Sequence, residues 1–446
     1  MNFLTFLNEQ ITLFIVFPAV LLLGLYLTIK LRGVQISRLK MSFNELLRSK
    51  DQQGEGNISH YQAIASVLAG NFGTGNISGM AVALTIGGPG ALFWMWVIAL
   101  LGASLQYASC VLGVLFRTKN AKGEYVGGPM YYLRDGANRK KTAILFSFIV
   151  IIAAMSCGNF VQVNSIALPL ANIGIPPWIT AILATFFVGL VLIGGSQRVA
   201  VVASGVVPIM AGLYLGGALI ILGIHIEKIP EAFLMILASA FGKGTALLGG
   251  AAGFGIARVV VSGFDRAIFA TDAGTGLVPI LQSGARTRHP VVDGVVTLVA
   301  PLFVMIVCTT TALVLIVTGV WQNGELTSTN MVTAAFQSVF GEFFGIWIVA
   351  LALVLFGYTT ILAWGSCALR AIEFLFGKRG VLFMQLLFIA TVPIGAFMQT
   401  HLAWILADIA LSSMLLINLF GVVLLRKQVA ATTREFFFAK IGPSLK

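Results

Sequence analysis

Long apolar runs, cut by short polar breaks, repeat along the whole chain. Eleven are of spanning length, at about 11–31, 61–86, 90–116, 142–170, 176–194, 199–224, 244–264, 291–319, 342–368, 380–398 and 401–425. A helix needs about 20 apolar residues to cross roughly 30 Å of hydrocarbon. The pattern therefore predicts an all-α membrane protein of about eleven transmembrane helices. The first run has no basic stretch ahead of it and no small-residue cleavage site, and reads as a retained helix rather than a signal peptide. The longest polar stretches, about 32–60 and 117–141, are basic and too short to fold alone. Two more, 225–243 and 320–341, read as segments lying on the membrane surface. The tail with Arg434 and Phe436 to Phe438 reads as an interfacial anchor or an unstructured end.

Two runs are interrupted. The second contains AGNFGTGNISG (Ala69 to Gly79) and the seventh GGAAGFG (Gly249 to Gly255). Backbone freed from the helical ladder inside a membrane must line a cavity or meet protein. Each interrupted run opens a set of five, the mark of a five-plus-five inverted repeat. The organisation predicted is an N-terminal helix and basic loop (1–60), a first five-helix repeat (61–224), a second (225–425) and a tail (426–446). Glycines alone also permit close helix packing. Asn71, Thr74 and Asn76 tip the first cluster towards a lined cavity, because an unpaired amide at mid-membrane is costly.

Composition closes off a soluble fold. Only 10% of the 446 residues are charged and 58% are hydrophobic, whereas a soluble chain carries about 25% charged residues. The net charge of +12 first suggests nucleic acid. With the N-terminus outside and the runs alternating, however, 26 of the 28 Lys and Arg fall in cytoplasmic segments, and only Lys228 and Lys243 lie outside. That is the positive-inside bias. It predicts a multi-pass protein of the inner membrane with a cytoplasmic C-terminus, and it excludes nucleic acid as a partner. Cys110, Cys157, Cys308 and Cys367 show no paired spacing and read as packing residues.

The chemistry available is neutral. No carboxylate pair, metal-ligand cluster or Ser/His/Asp set stands out, and His60, His225, His289 and His401 fall at span ends or in loops, so no enzyme is predicted. Hydroxyls and amides gather instead in run two, in run four (Ser156, Asn159, Gln162, Asn164, Ser165), at Thr309 to Thr311, and at Thr359 and Thr360. Such groups suit a sodium ion, and half-helix ends suit a zwitterion. The threonines have an alternative role, bonding carbonyls four residues back. Asp408, the clearest acid within a span, needs a partner or water. It reads either as an ion site or as a structural hub.

Several longer motifs agree with a known family. They are GTGNISG (Gly73 to Gly79) leading to GGPGALFWMWV, GGPMYYLRDG (Gly127 to Gly136), GNFVQVNSIA (Gly158 to Ala167), YTTILAW with AIEFLFG (Tyr358 to Gly377), and the stretch Trp404 to Leu419. Over residues 60 to 425 the chain resembles the alanine or glycine:cation symporters, the sodium:alanine symporter family, of LeuT-type fold. The resemblance implies sodium-driven uptake of a small neutral amino acid by alternating access, with the lipid bilayer as solvent, sodium as coupling ion and no other cofactor. It implies substrate contacts at Gly73, Thr74, Gly75, Asn159, Phe160, Gly249 and Gly250. It implies sodium contacts at Gly70, Gly73, Asn76, Thr359 and Thr360. The chain departs from the family at Ser109, at Thr271 and Asp272 within a family SNEAG motif, and at Ala368–Leu369. A proton-coupled or sodium-independent transporter of the same fold is the nearest rival, and a channel the rival of another class.

Overall fold

Hydrocarbon leaves no backbone group to water, so each apolar run closes its own hydrogen bonds as a helix. The computed structural model describes residues 2–47, 54–241 and 255–438, and nearly all of them are helical. The one sheet among them is a hairpin of two-residue strands, Thr118–Lys119 against Tyr125–Val126. The main helices are α1 (Phe3–Lys30), α2 (His60–Asn71), α3 (Ser78–Gly87), α4 (Gly90–Leu115) and α5 (Lys140–Asn172). There follow α6 (Pro177–Leu192), α7 (Gly195–Ile224), α8 (Ile229–Ala240), α9 (Ile256–Thr271) and α10 (Leu277–Gln282). The last four are α11 (Pro290–Val317), α12 (Ser328–Phe376), α13 (Lys378–Phe397) and α14 (Thr400–Phe438). Among the described residues eight helices are long and apolar enough to cross a membrane, and α3 and α6 are shorter apolar helices.

Local chemistry sets the ends. Ser59 and Gln62 form a reciprocal capping box that starts α2, satisfying two otherwise unpaired donors. Gly88, at φ +66°, and Pro89 separate α3 from α4. Gly341, at φ +76°, folds α12 back on itself so tightly that a Cβ at Gly345 would lie 2.5 Å from the Gln337 nitrogen. Outward faces are apolar: Phe14, Leu22, Phe186, Phe187, Leu382 and Phe383 are exposed. Lipid is the solvent that suits them.

The first interruption is where the sequence predicts it. The second is not. Gly249 and Gly250 lie outside the described residues. The interruption that the structure describes is further on, between the end of α9 at Thr271 and the start of α10 at Leu277. There Asp272, Gly274 and Gly276 take φ of +49°, +86° and +92°. The described part of the seventh span, α9, runs past the expected end at 264 to Thr271. Two of the four basic residues assigned to the loop after it change ends. Arg258 and Arg266 sit on α9, on a cavity shared with Thr5, Asn8 and His401. Arg286 stays at the basic end, its N–H on the Ile58 carbonyl at 2.9 Å.

Two peripheral segments also differ from expectation. Within 320–341, Met331, Val332, Ala335 and Phe336 are buried, so the first limb of α12 packs into the bundle rather than lying on its surface. The tail continues α14 as helix to Phe438 and docks at the basic end. Thr433 meets the Tyr107 hydroxyl at 2.9 Å, and Arg38 lies 4.1 Å over the Phe437 ring.

Candidate functional site

The first break is built from groups that replace the helical ladder. α2 ends at Asn71, Gly73 is extended at ψ 177°, and Thr74–Asn76 make a single 3-10 turn before α3. The carbonyls released here find side-chain donors. Ala69 O accepts from Thr360 Oγ1 at 2.7 Å, Asn71 O from Asn76 Nδ2 at 2.8 Å, and Thr74 O from Ser78 Oγ at 2.7 Å. Gln162 Oε1 accepts from both the Thr74 N–H, at 2.9 Å, and the Thr74 hydroxyl, at 3.0 Å. All of these side chains are buried. Satisfied in this way, an unwound segment persists within a low-dielectric interior.

Glycine is required here by close approach rather than by φ. A Cβ on Gly75 would lie 2.4 Å from two atoms of the Phe269 ring. One on Gly73 would lie 3.1 Å from Gln162 and 3.2 Å from Thr360. α9 therefore presses on the first break through Phe269. The contact continues at the next turn, where Asn71 Nδ2 donates to the Thr271 carbonyl at 2.8 Å. The two breaks meet, residue on residue.

The second break is held from behind by Asn418 on α14. Its amide nitrogen donates to Gly274 O at 2.8 Å and to Ser109 Oγ at 2.9 Å, and its oxygen accepts from the Tyr132 hydroxyl. Ser109, one of the departures from the family, thus anchors the strut that positions this break. Asp272 is buried, with neither carboxylate oxygen bonded within the described residues.

A cavity of about 410 Å³ opens at the end opposite the basic loops, lined by Asp265, Arg266, His401, Trp404 and Asp408 among others. Its floor is a buried ion pair between Arg266 and Asp408. Trp404 lies 4.5 Å from the Arg266 guanidinium and 4.6 Å, centroid to centroid, from Phe269. Cavity, ion pair, Trp404, Phe269 and Gly75 form one column. Asp265 beside it accepts from Asn8 at 3.3 Å and Thr12 at 3.2 Å on α1.

The basic end is latched shut. Glu55 bridges to Thr287 and Ile58 to Ala285, joining the approach to α2 with the exit from α10. Arg117 donates to Glu55 O at 2.8 Å and Ala285 O at 3.0 Å. Its neighbour Tyr125 donates its hydroxyl to the Glu55 carboxylate. That bond, with Lys119 nearby, holds the exposed carboxylate below the ordinary range. Alongside lies a cavity of about 360 Å³, lined by Leu369 and the Glu124–Arg370–Glu373 ion pairs, both 3.0 Å.

The residues named from the sequence divide accordingly. Gly70, Gly73, Thr74, Gly75, Asn76 and Thr360 come together at the first break. Thr359 does not join them: its hydroxyl bonds the Leu355 and Phe356 carbonyls at 3.0 and 3.1 Å. Asn159 gives its amide nitrogen to Thr391 on α13 at 3.1 Å, and the Phe160 carbonyl backs onto Gly395 of that helix. Gln162, three residues on, meets the break instead. A π-helical turn at Ser156–Phe160 causes the switch, since one extra residue in a turn rotates everything after it. Arg266 and Phe269 lie just beyond the seventh apolar run, and nothing in the sequence pattern singles them out. Of the other threonines, Thr310 and Thr311 do bond carbonyls four back, at 2.7 and 2.8 Å.

A model of the sodium:alanine symporter family matches residues 1–441. The chain is 41% identical to an uncharacterized transporter of Haemophilus influenzae, over 93% of this chain and 91% of that one. It is 35% identical to the sodium/alanine symporter AgcS of Methanococcus maripaludis, over 98% of each. The crystal structure of a manganese transporter from Eremococcus coleocola superposes with a TM-score of 0.51 at 15% identity, covering 84% of this chain and 78% of that one. That likeness concerns the fold alone.

Proposed function

Given that the chain belongs to the sodium:alanine symporter family, a family of transporters and not of enzymes, we propose that it takes up a small neutral amino acid of the alanine or glycine class, driven by the sodium gradient. Amino-acid:cation symport is the family's activity; the particular substrate and ion are this proposal's own. The observation that carries it is the junction of the two breaks, Asn71 on Thr271 with Thr74 on Gln162. Backbone polar groups released from the helical ladder and buried within the bundle suit a zwitterion that must be held without fixed charge.

In this reading the N–H groups of Gly73 and Gly75 receive the substrate carboxylate beside Thr74, whose own N–H stays on Gln162 Oε1. Thr360 with the Gly70 and Gly73 carbonyls receives sodium, and Asn76 stands next to it. Gly249 and Gly250 keep the role the family resemblance implies. The five-helix halves 61–224 and 225–425 rock against each other around this junction, in a cell (inner) membrane with the C-terminus cytoplasmic. Sodium at Thr360 replaces the Thr360–Ala69 hydrogen bond, fixes the end of α2 and so prepares the substrate site.

The test is uptake of labelled alanine into proteoliposomes, with sodium replaced by potassium and across a pH series. Uphill accumulation should require sodium. Accumulation that ignores sodium and collapses with the proton gradient would select the proton-coupled alternative. Fluxes that never run uphill would select a channel.

A further inference from the structure

Asp272 is the feature that this reading leaves unused. It begins the second break, it is 1% exposed, and among the described residues neither of its carboxylate oxygens has a hydrogen-bond partner. The carbonyl just before it, Thr271 O, is taken by Asn71 Nδ2. That leaves Asn71 Oδ1, also buried and unbonded, on the same side chain. The Thr275 hydroxyl donates to Asp272's own carbonyl at 2.8 Å and so is not available to the carboxylate. Among the described residues the titratable groups that feel its charge include the Cys157 thiol of α5 and the Cys367 thiol of α12, neither of them a cation. Arg266, six residues earlier on α9, is paired with Asp408.

A charge taken out of water without a counter-charge or donors is among the costliest arrangements in a protein interior. Three buried acceptor oxygens without a donor, two from Asp272 and one from Asn71, make the reverse of an anion site. We propose that Asp272 and Asn71 form a second cation site at the meeting of the two breaks, filled by a monovalent cation, sodium or a proton, during the transport cycle. The site is separate from the Thr360–Ala69 contact. Asn71 closes α2 and Asp272 follows α9, so a cation between them ties the two interrupted helices together. Its part in coupling rests on the symporter reading; the binding itself does not.

The test uses the purified full-length protein without any amino acid. Thermal unfolding of the wild type and of Asp272→Asn is followed while sodium replaces choline, and separately across about pH 5.5 to 8.5, where ordinary carboxylates stay ionised. If sodium is the occupant, D272N raises the half-stabilising sodium concentration by about tenfold or more, the loss of a full charge partner. If a proton is the occupant, the sodium titration stays put and the pH response of the wild type disappears in D272N. Either result supports the site and names the ion. Asp272→Glu, which restores the carboxylate, should recover part of the lost response.

Identical sodium and pH titrations in D272N and wild type would overturn the proposal, as would a wild type that responds to neither. So would unchanged cation titrations together with a raised alanine half-saturation in a separate titration with alanine, which would place the substrate ammonium at Asp272. Should D272N not fold, Asn71→Ala is read in the same two titrations, and unchanged curves there overturn it equally. Sodium-driven alanine uptake alongside an unaltered cation response would remove this site and leave the symporter reading intact.

Discussion

Gln162→Leu removes the side-chain acceptor that Thr74 uses at the first break. In the wild type its Oε1 takes the Thr74 N–H at 2.9 Å and the Thr74 hydroxyl at 3.0 Å, with both residues fully buried. Leucine fills similar volume, so cavity formation contributes little. The hydroxyl can rotate to another acceptor, but the N–H cannot. Stranding one buried donor costs about 1–3 kcal/mol. If the geometry of Gly73 to Gly75 is the binding geometry, that cost falls on the substrate-competent state. At about 1.4 kcal/mol per decade it raises the alanine half-saturation roughly 5- to 150-fold. Gln162→Glu keeps an acceptor and, while protonated, can also donate to Cys157 O; ionised, it buries an uncompensated charge, so it should recover affinity only as the pH is lowered. The assay is alanine-dependent thermal stabilisation at saturating sodium, read for all three proteins. A leucine variant within about twofold of wild type would refute the reasoning, because the donor would then have to be satisfied elsewhere.

Three further outcomes follow from the same geometry. Thr360→Val removes the hydroxyl on Ala69 O and should raise the sodium needed for half-maximal uptake, while Thr359→Val, whose hydroxyl is bonded inside α12, shifts it less; equal sodium titrations for wild type and T360V would exclude that site. Asp408→Asn strands the buried Arg266 charge and should destabilise by about 3–5 kcal/mol, with Arg266→Met in the same chain restoring much of the loss in thermal unfolding. Glu55, held below the ordinary carboxylate value of about 4.3 by Tyr125 and Lys119, stabilises the latch when ionised, a contribution present above the unfolded value and lost as pH falls through the lowered folded one. Glu55→Gln should therefore open the basic end to thiol labelling of a reporter cysteine at neutral pH, and the difference from wild type should vanish in strong acid; a difference that persists there would contradict the assignment.

The spans and the first break were legible in the chain because their causes are local. Apolar length and the spacing of Gly73, Gly75, Asn71 and Asn76 act within one helix. The second break carried a local signal as well, an acid and two glycines at Asp272 to Gly276. The denser glycine run at 249–255 lies, apart from Gly255, outside the described residues. Gln162 was visible as one of several polar residues on run four, yet nothing along that run distinguished it from Asn159.

By itself, then, the sequence determined that this is a helical membrane protein with interrupted helices and a neutral polar interior, since hydropathy and backbone freedom are properties of short stretches. Tertiary structure alone decided which groups meet. The π-turn at Ser156–Phe160 rotates Gln162 onto the break, Phe269 finds Gly75, and Arg266 finds Asp408 across 142 positions. Burial makes such pairings strong and specific, and helix rotation, which no local pattern encodes, selects them.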